Sequence, residues 1–315
     1  VSRPAARAEL IEDRGEAAAG GDFFRSRPFL DAEGVTHTLR IEAGEEELLA
    51  PLIVREIPGG GGLDAVSPYG YPGLVTSAEA ATIDPQAVDF SATGLVAIFI
   101  RHALGEPAPL AGALERAVVQ IADPALPRKL RSSDRNQINK NRRNGYELRL
   151  VPGPETEAAQ RAGFLDVYEQ TMRRAGAGER YFFGAAYFDR VLEADGTWLA
   201  LALSPEGPVA AASIAARSDG FLHYYLSGSA DSHLRDSPMK NVVAALAELS
   251  IELDLPLNLG GGLSRGDRLE EFKRGFANRE QPWRTSELVC DPPAYARLSA
   301  GREAGGFFPA YRKPA

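Results

Sequence analysis

Leu257-Asn258-Leu259-Gly260-Gly261-Gly262, followed by Asp267-Arg268-Leu269 and then Phe272-Lys273-Arg274-Gly275-Phe276, is the stretch on which the reading of this chain turns. Pro256 to Leu259 is a brief apolar run with a turn signal behind it, the pattern of a buried strand. The three glycines let the backbone pass close to a neighbour or a ligand where a Cβ would intrude. Asp267 is placed to cap a helix, and Leu269, Phe272 and Phe276 recur at helical spacing, which predicts one core-facing side. Lys273 lies about 100° round that helix from Phe272, on the border between core and cleft. An ammonium held there can stabilise negative charge growing on a carbonyl oxygen. Spacing alone is met as well by an ordinary amphipathic helix with a solvated lysine.

Composition narrows the classes. A chain of 315 residues is comfortable for two domains, and 44% hydrophobic with 25% charged is ordinary for a soluble globular protein. The single cysteine, Cys290, excludes an intramolecular disulfide framework, and with only His37, His102, His223 and His233 beside it no metal site is readable. This fits a reducing cytoplasm, and no segment has the length and apolarity of a membrane span or a secretion signal. A net charge of −8 argues against a general nucleic-acid binder, which needs many cationic contacts to phosphate. The charge is unevenly placed, however: eight Lys or Arg face two acids between Arg128 and Arg149. Such a run is usually a solvated helix face; it would also suit an RNA end or a nucleotide diphosphate.

Residues 1–34 read as a leader, with Phe23, Phe24, Phe29 and Leu30 available to dock on the first domain. Strands are predicted at 35–41, 47–57, 95–101 and 116–122, with a helical stretch from Asp84. A basic helix over 127–143 ends at Asn144-Gly145, and a strand over 146–151 precedes Pro152-Gly153-Pro154, where the domain boundary is expected. Beyond it come helices over 155–174 and 184–194, and strands over 197–204, 208–217 and 220–227. A helix over 237–253 with Ser237 as N-cap comes next, then the Leu257 strand, the Asp267 helix and a strand over 284–290. The fold class is α/β (α+β): a first domain over 1–150, completed by the segment 291–315, and a second over 151–290.

Three ordered blocks carry a resemblance. Ser67-Pro68-Tyr69-Gly70-Tyr71-Pro72-Gly73, the basic run from Arg128 to Asn141, and the stretch from Leu257 to Phe276 together resemble the Fem-type aminoacyltransferases. These are built from two acetyltransferase-like (GNAT-like) domains, each a mixed, largely antiparallel sheet flanked by helices. The resemblance implies transfer of an aminoacyl group from aminoacyl-tRNA, a co-substrate in place of any cofactor, to an amine of a peptide-like acceptor. That acceptor would be a peptidoglycan precursor or a specialised-metabolite peptide. It also implies Lys273 as the stabilising or RNA-positioning side chain, with Phe272 shaping the pocket. Tyr69 and Tyr71 would lie near the acceptor groove, and Arg128, Lys129, Arg131 and Arg135 are candidates for phosphate contacts, two of them rather than all four.

Tyr224 and Tyr225 are neighbours in a strand and point to opposite faces, so that one is core and the other a candidate for the cleft. Asn258, Asp267 and Lys240 complete the candidate set, each with a local capping or backbone-satisfying alternative. The Arg/Gln-x-x-Gly-x-Gly/Ala loop that holds coenzyme A in ordinary acetyltransferases is missing. Ser229-Ala230-Asp231-Ser232-His233-Leu234-Arg235-Asp236 stands in its place, with no glycine between Gly228 and Gly260 to aim backbone N–H groups at a pyrophosphate. Two other readings remain open at this point: an N-acyltransferase using acyl-CoA or an acyl carrier protein, and a binding module for RNA or a nucleotide-linked peptide.

Overall fold

The computed structural model describes residues 6–76, 82–105, 107–262, 264 and 266–313. Residues 1–5 of the expected leader lie outside them. In chain order the elements are β1 (Ala6–Ile11), α1 (Arg27–Ala32), β2 (His37–Ala43), β3 (Glu46–Glu56), β4 (Leu63–Val66), β5 (Val75–Thr76), β6 (Val88–Asp89) and β7 (Leu95–Arg101). Next come β8 (Leu114–Ala122), α2 (Ser132–Arg143), β9 (Glu147–Pro152), α3 (Ala158–Arg174), α4 (Ala185–Leu192), β10 (Thr197–Leu203), β11 (Val209–Ser218) and β12 (Phe221–Ser229). The last are α5 (Met239–Glu252), β13 (Leu257–Gly260), α6 (Arg268–Arg274), β14 (Arg279–Val289) and α7 (Pro292–Ser299). The chain divides into two compact units, one of residues 1–117 with 282–315 and one of residues 118–281. The stretch 118–150, expected with the first domain, therefore sorts with the second: the end of β8 pairs with β13, and α2 packs on α5.

The first unit is a sheet in the order β6-β1-β2-β3-β4-β7-β14. Leu39, Ile41, Leu48, Leu52, Ile98 and Ile100 fill its core, as the apolar alternation of β2 and β3 and the unbroken apolar run of β7 require. The leader is structural: β1 pairs antiparallel with β2, and Phe23, Phe24 and Phe29 form a buried ring cluster. The expected helix from Asp84 is a single tight turn, Pro85–Ala87, because Val88 and Asp89 leave at once to pair with β1. The C-terminal segment returns to this unit. Asp64, fully buried, sits between the guanidinium groups of Arg55 and Arg312, so the charge is matched where it is desolvated.

The second unit is a sheet in the order β8-β13-β12-β11-β10-β9. Alternate residues divide it: Ala200, Ala202, Ala211, Ala215 and Leu222 pack with Val242, Val243 and Leu246 of α5, while Phe164, Val167 and Tyr168 of α3 are buried on the other side with Phe188 of α4. The small alanines on the α5 side let that helix lie close to the sheet. Gly228 is needed for the same reason on the α3 side, since a Cβ there would stand 2.3 Å from the carbonyl oxygen of Val167.

Two features of β12 shape the region around Lys273. The strand pairs antiparallel with β11 through a bulge, with Tyr224 opposite Ala215 but Leu226 opposite Ile214. The bulge advances the strand's alternation by one residue, which is why Leu222 faces α5 and Gly228 meets α3. Along its other edge β12 pairs parallel with β13 at only two positions, Leu222 with Leu257 and His223 with Asn258. Beyond them the two strands part.

Ala substituted for Gly228 must push α3 away from the sheet. Gly228→Ala is expected to lower stability by about 1–3 kcal/mol in thermal or urea unfolding, whereas Gly178→Ala, where nothing lies within 4 Å of the added methyl, should change it little.

Candidate active site

The site is assembled where β12 and β13 separate. Asn258 and His223 face each other across the last register pair, both buried, and form a connected chain of hydrogen bonds. The Asn258 Oδ1 accepts from the Gly260 N–H at 2.8 Å, and its Nδ2 lies 3.0 Å from His223 Nδ1. With Asn258 as donor, Nδ1 accepts and the imidazole proton resides on Nε2, which donates to the Ser218 carbonyl at 3.1 Å. Asn258, a candidate from sequence, thus fixes the turn after β13. His223 is the partner that sequence reasoning missed as part of this arrangement; only the parallel register brings it to Asn258.

Gly260 leaves the strand with φ +75°, in the left-handed region that favours glycine. A Cβ at Gly260 would stand 3.1 Å from Lys273 Nζ, and one at Gly261 would stand 3.0 Å from the Val118 carbonyl oxygen. The turn therefore brings bare backbone against the lysine. Lys273 Nζ donates to the Gly261 carbonyl oxygen at 2.6 Å and lies 6.0 Å from the centre of the Tyr224 ring. Lys273 itself is buried. Burial pulls its ammonium down to about 8, against the opposing pull of the Asp267 carboxylate.

Asp267 is the N-cap of α6, as its position predicted: its Oδ1 accepts from the Glu270 N–H at 2.7 Å and its Oδ2 from the Ser264 N–H at 3.0 Å. It both starts the helix that carries Lys273 and supplies the nearby negative charge. Phe272 packs its ring against Phe276 at 5.6 Å, with one edge on the core under α5. Tyr224 stands on the Lys273 side of the sheet, and burial raises its phenol to about 12. Tyr225 turns away, its hydroxyl 2.6 Å from that of Tyr187, whose ring stacks on Phe183. The structure thereby separates the two tyrosines that the strand pattern left equivalent.

Other sequence candidates fall elsewhere. Lys240, in the first turn of α5, is 2.9 Å from Asp134 of α2. Space for that carboxylate exists because Gly275 has no side chain, a Cβ there standing 2.7 Å from Asp134 Oδ2. Ser237 is not the N-cap of α5: a turn closed from Leu234 puts it at φ +48°, and its hydroxyl donates back to the Leu234 carbonyl. Of the four basic candidates, Arg128 is paired with Glu248 at 2.6 Å and Arg131 with Glu271 at 3.1 Å, while Lys129 and Arg135 are exposed. Tyr69 and Tyr71 belong to the first unit. The Tyr69 N–H donates to Glu33 at 2.8 Å, and Tyr71 packs edge-on to Phe24 and Trp283.

The loop standing in the place of a coenzyme A loop is held by α2. Asn141 Nδ2 and Gln137 Nε2 donate to the Asp236 carbonyl at 2.8 and 3.0 Å, and Tyr146 Oη donates to the Asp236 carboxylate at 3.1 Å. The His233 ring sits 2.8 Å from the same hydroxyl. Among the described residues no cluster of His, Cys, Asp and Glu could hold a metal ion, and no helix is long and apolar enough to cross a membrane.

Residues 128–274 match the model of the acetyltransferase (GNAT) domain. No curated protein matches the chain. Among solved structures, L-PGS from Bacillus licheniformis superposes with a TM-score of 0.58 at 14% identity, over 90% of this chain and 95% of its own. FemX does so with a TM-score of 0.54 at 11% identity, over 82% and 89%. The C-terminal domain of a putative lysylphosphatidylglycerol synthetase from Agrobacterium fabrum gives 0.54 at 12% identity, over 90% and 92%. At these identities the likeness is one of fold, and it bears out the GNAT-like architecture expected from the sequence. The domain match supports a transferase.

The buried ammonium carries a measurable signature. Lys273 binds its proton less tightly folded than unfolded, so its cost is present below about pH 8 and is relieved as pH rises from there toward its ordinary value of 10.5. Stability of the wild type relative to Lys273→Met should therefore rise across that window, by an amount on the order of 3 kcal/mol, in urea unfolding at a series of pH values.

Proposed function

On a chain whose residues 128–274 match a GNAT domain, we propose that the second unit transfers an aminoacyl group from an aminoacyl-tRNA to an amine of a peptide-like acceptor, forming an amide. One observation carries this reading: a buried lysine, with its ammonium against a glycine turn, at the point where two parallel strands part. The donor is an activated ester, so no cofactor or covalent enzyme intermediate is needed. The acceptor nitrogen attacks the ester carbonyl carbon, the ester C–O bond breaks, and the departing ribose oxygen takes a proton. The acceptor arrives as an ammonium, so a second proton is shed before attack, and it goes to solvent.

In this scheme the Lys273 ammonium donates to the oxyanion of the tetrahedral intermediate. Its present acceptor, the Gly261 carbonyl, fixes its direction in advance, so little reorganisation is required when charge develops. Desolvation strengthens that interaction, since a charge facing a growing charge is worth more where water is excluded. Tyr224, on the same side of the sheet, is a second donor for the substrate carbonyl and stays protonated throughout the neutral range. Phe272, half-buried against the apolar core behind it, would shape the side on which the substrate meets Lys273. The acceptor is a peptidoglycan precursor or a small peptide of a specialised pathway, and a cytoplasmic setting suits either.

A second reading has an observation of its own. The matched domain model is that of an acetyltransferase, which favours acyl-CoA or an acyl carrier protein as donor. Against it, the loop from Ser229 to Asp236 is tied to Gln137, Asn141 and Tyr146, and the positive first turn of α5 already meets Asp134. Those groups would have to be displaced before a pyrophosphate could dock there.

Single-turnover transfer from a pool of radiolabelled aminoacyl-tRNAs to a panel of amines tests the proposal. Amide formation should be ribonuclease-sensitive and fall by about 10²–10³ in Lys273→Ala. The rate should decline as pH rises through about 8, where the Lys273 ammonium deprotonates, and Lys273→Arg should shift that limb upward. Turnover with acyl-CoA and none with any charged tRNA would establish the second reading instead.

A further inference from the structure

The basic helix α2 presents two different polar sides. Asp134, Gln137 and Asn141 turn inward onto α5 and the loop at Asp236. Arg135, Asn139 and Arg142 recur at i, i+4 and i+7 on another side and line a hollow of about 260 Å³ floored by Ile138 and Ala244 of α5. Arg128 and Glu248 close its rim, paired with each other. A second hollow of about 330 Å³ continues from it, sharing Arg142, Ala244 and Glu248.

We propose that this α2–α5 groove holds the phosphodiester backbone of an RNA strand, with Arg135, Asn139 and Arg142 as its donors. The inference rests on the aminoacyl-tRNA reading and gives that donor a binding site. It also changes the assignment made from sequence, since Arg131 is engaged by Glu271 while Asn139 and Arg142 join the site.

The shape and chemistry of the groove support a strand. Arg135 and Arg142 are separated by about 10 Å along the helix axis, enough to meet successive phosphates on one strand. Neither arginine has an acidic partner among the described residues, so both are available to an anion. The surface is concave, which admits a chain and keeps a flat bilayer from its floor. Its one aromatic, Tyr146, is buried with its hydroxyl turned to His233 and Asp236. No exposed ring is therefore offered to a base, and recognition would be of backbone charge, tolerant of sequence. The carboxylates set limits: Glu248 occupies Arg128, and Glu252 at the far end of the second hollow repels an anion there. Phosphate is thereby directed to the hollow beside Arg135.

Fluorescence anisotropy with fluorescein-labelled uncharged tRNA, over a salt series, tests the site. Arg135→Gln and Arg142→Gln should each weaken binding and reduce the slope of log Kd against log salt by about 1. Glu248→Gln should tighten binding severalfold, because it frees Arg128 and removes a negative charge from the rim; a merely misfolded variant would not gain affinity. Unchanged slopes in both arginine variants, absence of RNA binding, or binding of phosphatidylglycerol vesicles in place of RNA would overturn the proposal. RNA binding that responds to these variants, in a protein that transfers no aminoacyl group, would leave the groove standing and defeat the transferase reading alone.

Discussion

The arrangement depends on how β12 and β13 are held together just before they separate. A parallel pair with only two register positions has little backbone pairing to secure it, and the two residues at its last position are polar and buried. Burying an asparagine and an imidazole is costly unless each is satisfied. Here Asn258 takes the Gly260 N–H and gives to His223, and His223 gives to Ser218. The chain of bonds ties β13, the start of β12 and the last residue of β11 into one unit. It also commits Gly260 to the left-handed conformation from which Gly261 can present its carbonyl to Lys273.

That carbonyl explains how a lysine can be buried at α6 with no direct ion pair among the described residues. An ammonium taken from water loses several kcal/mol of hydration; the Gly261 oxygen recovers part of this through a charged hydrogen bond, and Asp267 recovers more through space. Desolvation remains the larger effect, so the proton is held less firmly than on a free lysine. The outcome is a group still charged at neutral pH but poised near the limit of its charged range. Asp267 has two obligations at once, since the same carboxylate caps α6 and stabilises the lysine one helix length away.

Much of this was legible in the sequence because it is local. The strand, the glycine turn and the cap at Asp267 are read within twenty residues, and the structure places each where the pattern put it. Of the three residues at helical spacing, Phe272 packs on the core and Phe276 is buried just past the end of α6, but Leu269 is exposed, because the short helix turns that position to solvent. Candidates whose surroundings come from distant segments were not. Lys240 looks free in sequence, yet its partner Asp134 arrives from a helix more than a hundred residues earlier. His223 has no local companion that marks it, and Tyr224 cannot be told from Tyr225 until α4 supplies Tyr187 on one side and α6 supplies Lys273 on the other. Ser237 misled for a different reason: a serine before a proline has the composition of a cap, but the preceding turn from Leu234 had already set its backbone.

Helix α2 shows why a charged run need not be uniform in role. Its inward side carries an acid and two amides in place of the usual apolar stripe, and each finds a specific partner: Asp134 at Lys240, and Gln137 and Asn141 at the Asp236 carbonyl. Only Ile138 contributes an apolar anchor to the core below. Because hydrogen bonds are directional where apolar contacts are not, this side fixes the rotation of the helix about its axis. The same rotation decides which residues line the α2–α5 groove. The polar contacts that occupy the place of a coenzyme A loop and the guanidinium groups that open toward the groove are therefore two consequences of one orientation of the helix.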